Sequence, residues 1–326
     1  METPQKRPHL SIVIPAYNEG PQIQTTIKSV ISAFAEKNLD WELIIVNDGS
    51  TDQTLSQAQQ SASKDTRVRI VSYPINTGRG KALREGLKHA RGNIIVTADA
   101  DLSYDCPQIY ALYNHLGANP HTDIVLGSAY MPGGQTVNVP WQRLLVSRTG
   151  NMIISKMLPK KFYTITCVFR AYRRHVIQSL DLISDGKDIH LEILSKCLAL
   201  GFHIDEIPAC LNFRKKGVSK FQFRATAFSH MIFSISEKPS LFFGIIGLIF
   251  IMLGVGAGIY LIFLWQMGQL TPNRPLIILM ALLILSGIQM LSFGFIGTQI
   301  VFLKNELVRL RKNQNEIKSD LENRPE

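Results

Sequence analysis

Two carboxylates, Asp99 and Asp101, stand at positions i and i+2 just beyond the apolar run Asn93–Thr97. If the strand conformation of that run persists, both side chains point the same way and can reach one cation together. Mg2+ and Mn2+ suit oxygen donors of this kind, because they take one or two protein carboxylates and leave their other positions to water and phosphate oxygens. Solvated turns also carry Asp-x-Asp pairs. Here the pair ends an apolar run, where charges without partners would be costly. Asp99 and Asp101 are therefore read as ligands of a metal that handles a diphosphate.

Two further polar segments follow apolar runs in the same way. In Asn47-Asp48-Gly49-Ser50-Thr51-Asp52, Gly49 permits a tight bend and Ser50 or Thr51 can cap a following helix. Asp48 is either part of that capped turn or an acceptor for the base or ribose of a nucleotide, with Pro15-Ala16-Tyr17 shaping the opposite wall. Asn76-Thr77-Gly78-Arg79-Gly80-Lys81 opens another helix with two glycines and two cations, suited to approach by a diphosphate.

Positioning these groups requires a sheet. Leu10–Ile14, Trp41–Val46, Arg67–Val71, Asn93–Ala98 and Asp123–Leu126 read as strands, and helical periodicity separates them. This βαβα order predicts an α/β fold with a mainly parallel sheet, helices on both faces, and ligands at the carboxyl ends of the strands. The polar segments fall at those ends.

The apolar runs Leu241–Trp265 and Leu276–Leu303 contain no Asp, Glu, Lys or Arg, and each exceeds the ~20 residues that cross a bilayer. Lys and Arg are concentrated before the first run and after the second, while the intervening stretch Gln266–Pro275 holds only Arg274. The positive-inside pattern then puts the large N-terminal part and both chain ends in the cytoplasm. The start of the chain lacks the pattern of a cleavable signal, which agrees. A net charge of +10 suits nucleic acid or anionic lipids and phosphorylated ligands. The membrane runs favour the second, so no nucleic-acid partner is expected. Cys106, Cys167, Cys197 and Cys210 lack metal-binding spacing and read as reduced thiols. The expected organisation is a catalytic domain over 1–220, an interfacial amphipathic helix over 221–239, a two-helix anchor over 240–303, and a cytoplasmic helix or tail over 304–326. The apolar series Leu303, Leu307, Leu310, Ile317 and Leu321 suits either homo-oligomer contacts or a solvated helix.

Residues 10 to about 220 resemble the family 2 glycosyltransferases of the GT-A fold. The resemblance lies in Ser11–Glu19, Val46–Asp52, Asn76–Lys81 and Asp99-Ala100-Asp101-Leu102, in that order and spacing. The branch is similar to the polyisoprenyl-phosphate hexosyltransferases, which include dolichol-phosphate mannose synthases and the two-span bactoprenol glucosyltransferases. The resemblance implies an inverting transfer in which Pro15, Ala16, Tyr17, Glu19, Asp48, Gly78 and Lys81 bind the nucleotide sugar. Asp99 would lie near ribose and metal, with Asp101 ligating the metal. Gly127-Ser128-Ala129-Tyr130, Ser147–Asn151, Phe169-Arg170 and Arg214–Lys220 resemble the acceptor-side motifs. Ser128, Arg148, Arg170, Arg214, Ser219 and Lys220 are thus the expected acceptor-phosphate contacts, and Arg148 and Arg170 join the two aspartates as catalytic candidates. Two positions depart from the family pattern: Ala129 stands where Arg is usual, leaving the acceptor site one cation short, and Ser103 stands where Gln is frequent.

The expected reaction moves glucose from UDP-glucose to undecaprenyl phosphate at the cytoplasmic face of a bacterial plasma membrane. A GDP-mannose-dependent synthase and a catalytically impaired membrane scaffold are the alternatives. A processive polysaccharide synthase fits poorly, because the chain has no Gln-x-x-Arg-Trp segment and few spans. A dinucleotide-dependent oxidoreductase would need Gly-x-Gly-x-x-Gly after the first strand, where Pro15-Ala16-Tyr17 stands.

Overall fold

The computed structural model describes residues 7–158, 160–213, 239–269 and 275–322. The chain forms two compact units, the first carrying a sheet and the second two long apolar helices. The first unit runs β1 (Leu10–Ala16), α1 (Gly20–Ala35), β2 (Trp41–Asp48), α2 (Thr54–Ala62), β3 (Val68–Tyr73), α3 (Arg79–His89), β4 (Ile94–Thr97), α4 (Cys106–Ala118) and β5 (Ile124–Ser128). It continues through β6 (Gln135–Val137), α5 (Trp141–Met157), β7 (Arg170–Arg173), α6 (Arg174–Ser179), α7 (Ile189–Ala199), β8 (Ile204–Pro208) and β9 (Cys210–Asn212).

Among the described residues, seven strands form one sheet in the order β3-β2-β1-β4-β7-β5-β8. The strands β1 to β4 pair in parallel, with Leu10 opposite both Trp41 and Ile94. Strands covered on both faces need continuous apolar runs. Ile12, Val13 and Ile14 of β1 and Leu43 to Val46 of β2 meet that need, all at 0% exposure. The expected strands are present, and their ends shift only slightly from the expected ones.

Strand β7 was not legible in the sequence. It is four residues long with Arg at both ends, yet it inserts antiparallel between β4 and β5. Strand β8, parallel to β5, closes that edge with the alternating polar sequence Ile-Asp-Glu-Ile-Pro. A small second sheet pairs β6 with β9.

In the second unit, α8 (Pro239–Gln266) and α9 (Pro275–Glu322) pack against each other. Both contain stretches long and apolar enough to cross a membrane. Their backbones approach closely at glycines, as small residues allow between membrane helices. A Cβ on Gly287 would lie 2.8 Å from the Gly247 carbonyl oxygen, and one on Gly254 would lie 2.7 Å from Ile284 Cγ1. Leu248, Met252, Ile259, Leu285 and Phe295 point outward and are exposed, an arrangement suited to hydrocarbon. Helix α9 runs unbroken past the apolar stretch to Glu322, so the second apolar run and most of the C-terminal tail are one helix. The expected interfacial helix lies outside the described residues, apart from Pro239.

Helix α3 lies against β1 and β2 through Gly86, where a Cβ would meet Val13 Cγ1 at 2.3 Å and Val46 Cγ2 at 3.0 Å. Gly86→Val should therefore overpack this interface by about 1–3 kcal/mol. The expected outcome is a Tm several degrees below wild type in detergent, read by intrinsic fluorescence.

Candidate active site

Asp48, the last residue of β2, is 3% exposed, and a buried carboxylate must find donors. It finds them in the loop after β3. Asn76 Nδ2 and the Gly78 amide donate to Oδ2, and the Thr77 amide donates to Oδ1, each at 2.9 Å. The loop after β2 in turn holds the loop after β1. The Asn18, Glu19 and Gly20 amides donate to Ser50 Oγ, Thr54 Oγ1 and Asp52 Oδ2 at 3.0, 2.8 and 3.1 Å. The Asn47–Asp52 segment thus joins three loops at the carboxyl edge of the sheet. Asp48 fixes the wall here through bonds within the chain. Pro15, Tyr17 and Glu19 are half-buried beside it and Ala16 is buried.

The aspartate pair is built differently from the expected extended chain. Strand β4 ends at Thr97, and the Leu102 amide donates to the Asp99 carbonyl at 3.1 Å, closing a turn with Leu102 at φ 48°. A left-handed leucine costs backbone energy and persists only where its surroundings enforce it. The enforcement is visible: Thr26 Oγ1 donates to the Ala100 carbonyl at 2.5 Å, and the Ser103 amide donates to Asp101 Oδ1 at 2.9 Å. The turn brings Asp101 close enough that its charge helps raise the Asp99 pKa, although burial is the larger cause. Arg79 and Arg143 oppose that rise, and Arg79 Nη1 lies 3.5 Å from Asp99 Oδ1. Among the described residues no group of three or more His, Cys, Asp or Glu side chains could hold a metal. Two carboxylates nevertheless fit Mg2+ or Mn2+, whose remaining positions can go to water and phosphate oxygens.

Cations from three separate segments gather here. Arg79 opens α3, Arg143 lies in the first turn of α5, and Lys187 precedes α7. Lys187 is held below the usual lysine range by burial and by the charges of Arg79 and Arg143. Sequence spacing marks none of the three as a partner of the aspartates, although Arg79 belongs to a recognised segment. Arg143 and Lys187 sit in stretches without a distinctive pattern.

The glycines of the α3 segment do something other than expected. Gly78 has φ 116°, and a Cβ on Gly80 would lie 2.4 Å from the Ser184 carbonyl oxygen. The 184–186 segment lies across the helix start, and the Asp185 carbonyl accepts from the Gly80 amide at 2.8 Å. Lys81 Nζ lies 4.7 Å over the Tyr73 ring. The helix N-terminus therefore anchors a loop, and Arg79 is the α3 residue paired with Asp99. Asp185 pairs with Arg84, and Glu192 accepts from the Ile183 and Ser184 amides, so both serve the loop structurally.

The expected acceptor residues separate into groups. Arg148 is exposed on α5, with its guanidinium 5.7 Å from the Tyr130 ring centroid. Arg170 is placed otherwise than expected: it is 0% exposed and donates to the carbonyls of Cys167, His190 and Ile165, so it braces the core where β7 enters. Ser128 is also at 0% exposure, with its hydroxyl 2.7 Å from that of Thr164. Arg214, Ser219 and Lys220 lie outside the described residues. Helix α5 carries exposed Trp141, Leu145 and Met152 on the helical spacing that includes Arg148, an apolar stripe with a cation in it.

Residues 11–181 match the family model described as Glycosyl transferase family 2. The chain belongs to that family. It is a glycosyltransferase. Polyprenol monophosphomannose synthase of Mycolicibacterium smegmatis is 32% identical over 216 residues, covering 64% of this chain and 79% of the relative. Dodecaprenyl-phosphate galacturonate synthase of Rhizobium johnstonii is 28% identical over 307 residues, covering 89% and 87%. Among solved structures, glucosyl-3-phosphoglycerate synthase from Mycobacterium tuberculosis in complex with phosphoglyceric acid superposes with a TM-score of 0.54 at 22% identity, over 71% of this chain and 80% of that one. Its complex with Mn2+ and UDP-glucose gives a TM-score of 0.51 at 24% identity, over 69% and 76%. These superpositions show the GT-A-like fold of the glycosyltransferase unit.

Two outcomes follow from burial. Asp48→Ala leaves the Thr77 and Gly78 amides without their acceptor, a loss of about 1–3 kcal/mol for each donor left buried and unpaired. The Tm should fall by several degrees and nucleotide affinity with it, as calorimetry on the same sample would read. Ala129 is 2% exposed within the core, so Ala129→Arg should destabilise the fold rather than supply a missing acceptor cation. Thermal melting alongside acceptor titration checks this, and a stable variant with a lowered acceptor KM would contradict it.

Proposed function

We propose that this glycosyltransferase moves a hexose from a nucleotide diphosphate sugar to a polyisoprenyl phosphate, with inversion at the anomeric carbon. The observation that carries the reading is the gathering of Asp99, Asp101, Arg79, Arg143 and Lys187 at the carboxyl edge of the sheet. Relatives named for polyprenol, dodecaprenyl and dolichol phosphate point to the acceptor class. The exposed Trp141, Leu145 and Met152 stripe suits an acceptor that brings hydrocarbon with its phosphate.

Asp99 and Asp101 would hold Mg2+ or Mn2+. Such an ion, when bound, neutralises charge that develops on a leaving diphosphate. The protein has little proton transfer to manage, because a phosphate monoester has a second pKa near ~6 and is already largely anionic at neutral pH. Its task is to bring two anions together, for which fixed cations in a partly dry site are suited. Arg79, Arg143 and Lys187 would face the donor diphosphate, and Arg148, beside the apolar stripe, the acceptor phosphate. The nucleotide would lie along Pro15–Glu19 and the Asp48 wall. Helices α8 and α9 would anchor the enzyme in a bacterial plasma membrane, with the catalytic unit and both chain ends cytoplasmic and the chain a homo-oligomer.

The proposed donor is UDP-glucose and the proposed acceptor undecaprenyl phosphate. GDP-mannose is the second reading, favoured by the mannose named for two of the relatives. Radiolabelled UDP-glucose, GDP-mannose and UDP-galacturonate, each offered to membranes containing the enzyme and undecaprenyl phosphate, separate these. Label from UDP-glucose should enter the organic phase only with divalent metal. Asp101→Asn should lower that rate by roughly a hundredfold, about 2.7 kcal/mol of transition-state stabilisation, with an unchanged Tm. Lipid label from GDP-mannose alone would move the assignment to the second reading. No lipid label from any donor would reject the acceptor class.

A further inference from the structure

Parallel strands have two ends, and the site above uses only one. At the other, amino-terminal edge of β1 to β4 there is a cavity of about 370 Å³ lined by Arg7, Arg67, Arg69, Arg91 and Arg174, with Trp41 among its walls. These arginines come from four places in the chain: the approach to β1, the entry and body of β3, the turn before β4, and the exit of the antiparallel β7. With strands rising about 3.3 Å per residue, the cavity is roughly 20 Å from the aspartate pair. It is separate from the proposed catalytic residues.

Part of this positive charge is already matched. Arg69 Nη1 lies 2.9 Å from Glu42 Oε2, and Arg67 Nη2 lies 2.7 Å from Asp65 Oδ2 while its guanidinium stacks 4.4 Å from the Trp41 ring. Arg7, Arg91 and Arg174 have no ion pair among the described residues. The carboxylates in the lining are Asp40 and Glu42, and Glu42 is also engaged by Ser11 Oγ and the Arg91 amide, each at 2.6 Å. Two buried donors are left over. Trp41 is 2% exposed and its Nε1–H has no acceptor, and the Nε–H of Arg174 has none either, although Arg174 Nη1 donates to the Ala90 carbonyl at 3.0 Å. An excess of guanidinium forks selects a ligand that is all acceptor and carries more than one negative charge.

We propose that this cavity is a second anion site, which takes a compact phosphate-type polyanion with inorganic diphosphate as its smallest member. Arg7 and Arg91 close on it from the surface, and Arg174 holds it from within. A singly charged anion would leave most of the excess charge unmatched, which is why a multiply charged one is selected. The site does not depend on the identity of the sugar or of the lipid acceptor.

The test is calorimetric titration of inorganic diphosphate into the full-length protein in detergent, with divalent ions removed by chelator. Asp101→Asn serves as the control at the catalytic edge, and Arg7→Gln/Arg91→Gln as the cavity variant. The Arg7 and Arg91 side chains are exposed and make no hydrogen bond among the described residues, so the double variant should melt with wild type. Diphosphate should bind wild type and Asp101→Asn alike. The double variant should bind it roughly tenfold or more weakly, in keeping with the strength of charge-assisted hydrogen bonds to phosphate. Affinity should also fall as salt rises. Unchanged affinity in the double variant, loss of binding in Asp101→Asn, no binding to wild type, or a singly charged anion such as nitrate bound as tightly as diphosphate would each overturn the proposal.

Discussion

The arrangement of the active edge rests on one buried carboxylate. Asp48 ends a strand whose residues are all buried, and its charge is tolerable there only because two amides and a side-chain amide converge on it. Satisfying Asp48 fixes the path of residues 76–78, which fixes where α3 begins and hence where Arg79 stands. Ser50, Asp52 and Thr54 extend the same logic to the loop after β1. The path of the loops after β1 and β3 and the place of Arg79 are thus consequences of one requirement for hydrogen-bond satisfaction.

The second constraint is electrostatic. Asp99 and Asp101 are pressed together by a turn that needs a left-handed leucine, and burial together with the neighbouring Asp101 charge makes a charged Asp99 costly. Arg79 and Arg143 offset part of that cost, and Lys187 is held below the usual lysine range by burial first and by their like charge second. Opposed charges, with repulsion on each side, thus meet at one edge of the sheet.

A contrast appears where cations serve structure instead. Arg170 sits in a four-residue strand at 0% exposure and directs its donors to three carbonyls. Its burial lets β7 lie between β4 and β5. Glu206, whose carboxylate accepts from the Tyr163 and Thr164 amides, braces the neighbouring segment in a similar way.

Much of this protein was legible in the sequence because local rules act over short distances. Continuous apolar runs announced parallel strands, two charge-free runs announced helices long enough for a bilayer, and the order of four polar segments announced the family. The pairing of Asp99 with Asp101 was also legible, although the means was a turn rather than an extended strand, because strand β4 ends at Thr97, before Asp99 is reached. Tertiary structure decided what spacing cannot express. Whether an arginine faces a ligand or the core depends on which strand lies beside it, and β7 is too short and too polar to announce itself. Arg143 and Lys187 reach the site from segments distant in sequence, so no motif contains them. The same holds for Ser128 and Ala129, whose burial is set by β8, Thr164 and the packed segment around Phe169. A sequence specifies which groups are available, but their partners are fixed only when the sheet closes, since hydrogen bonding and charge depend on distance in space.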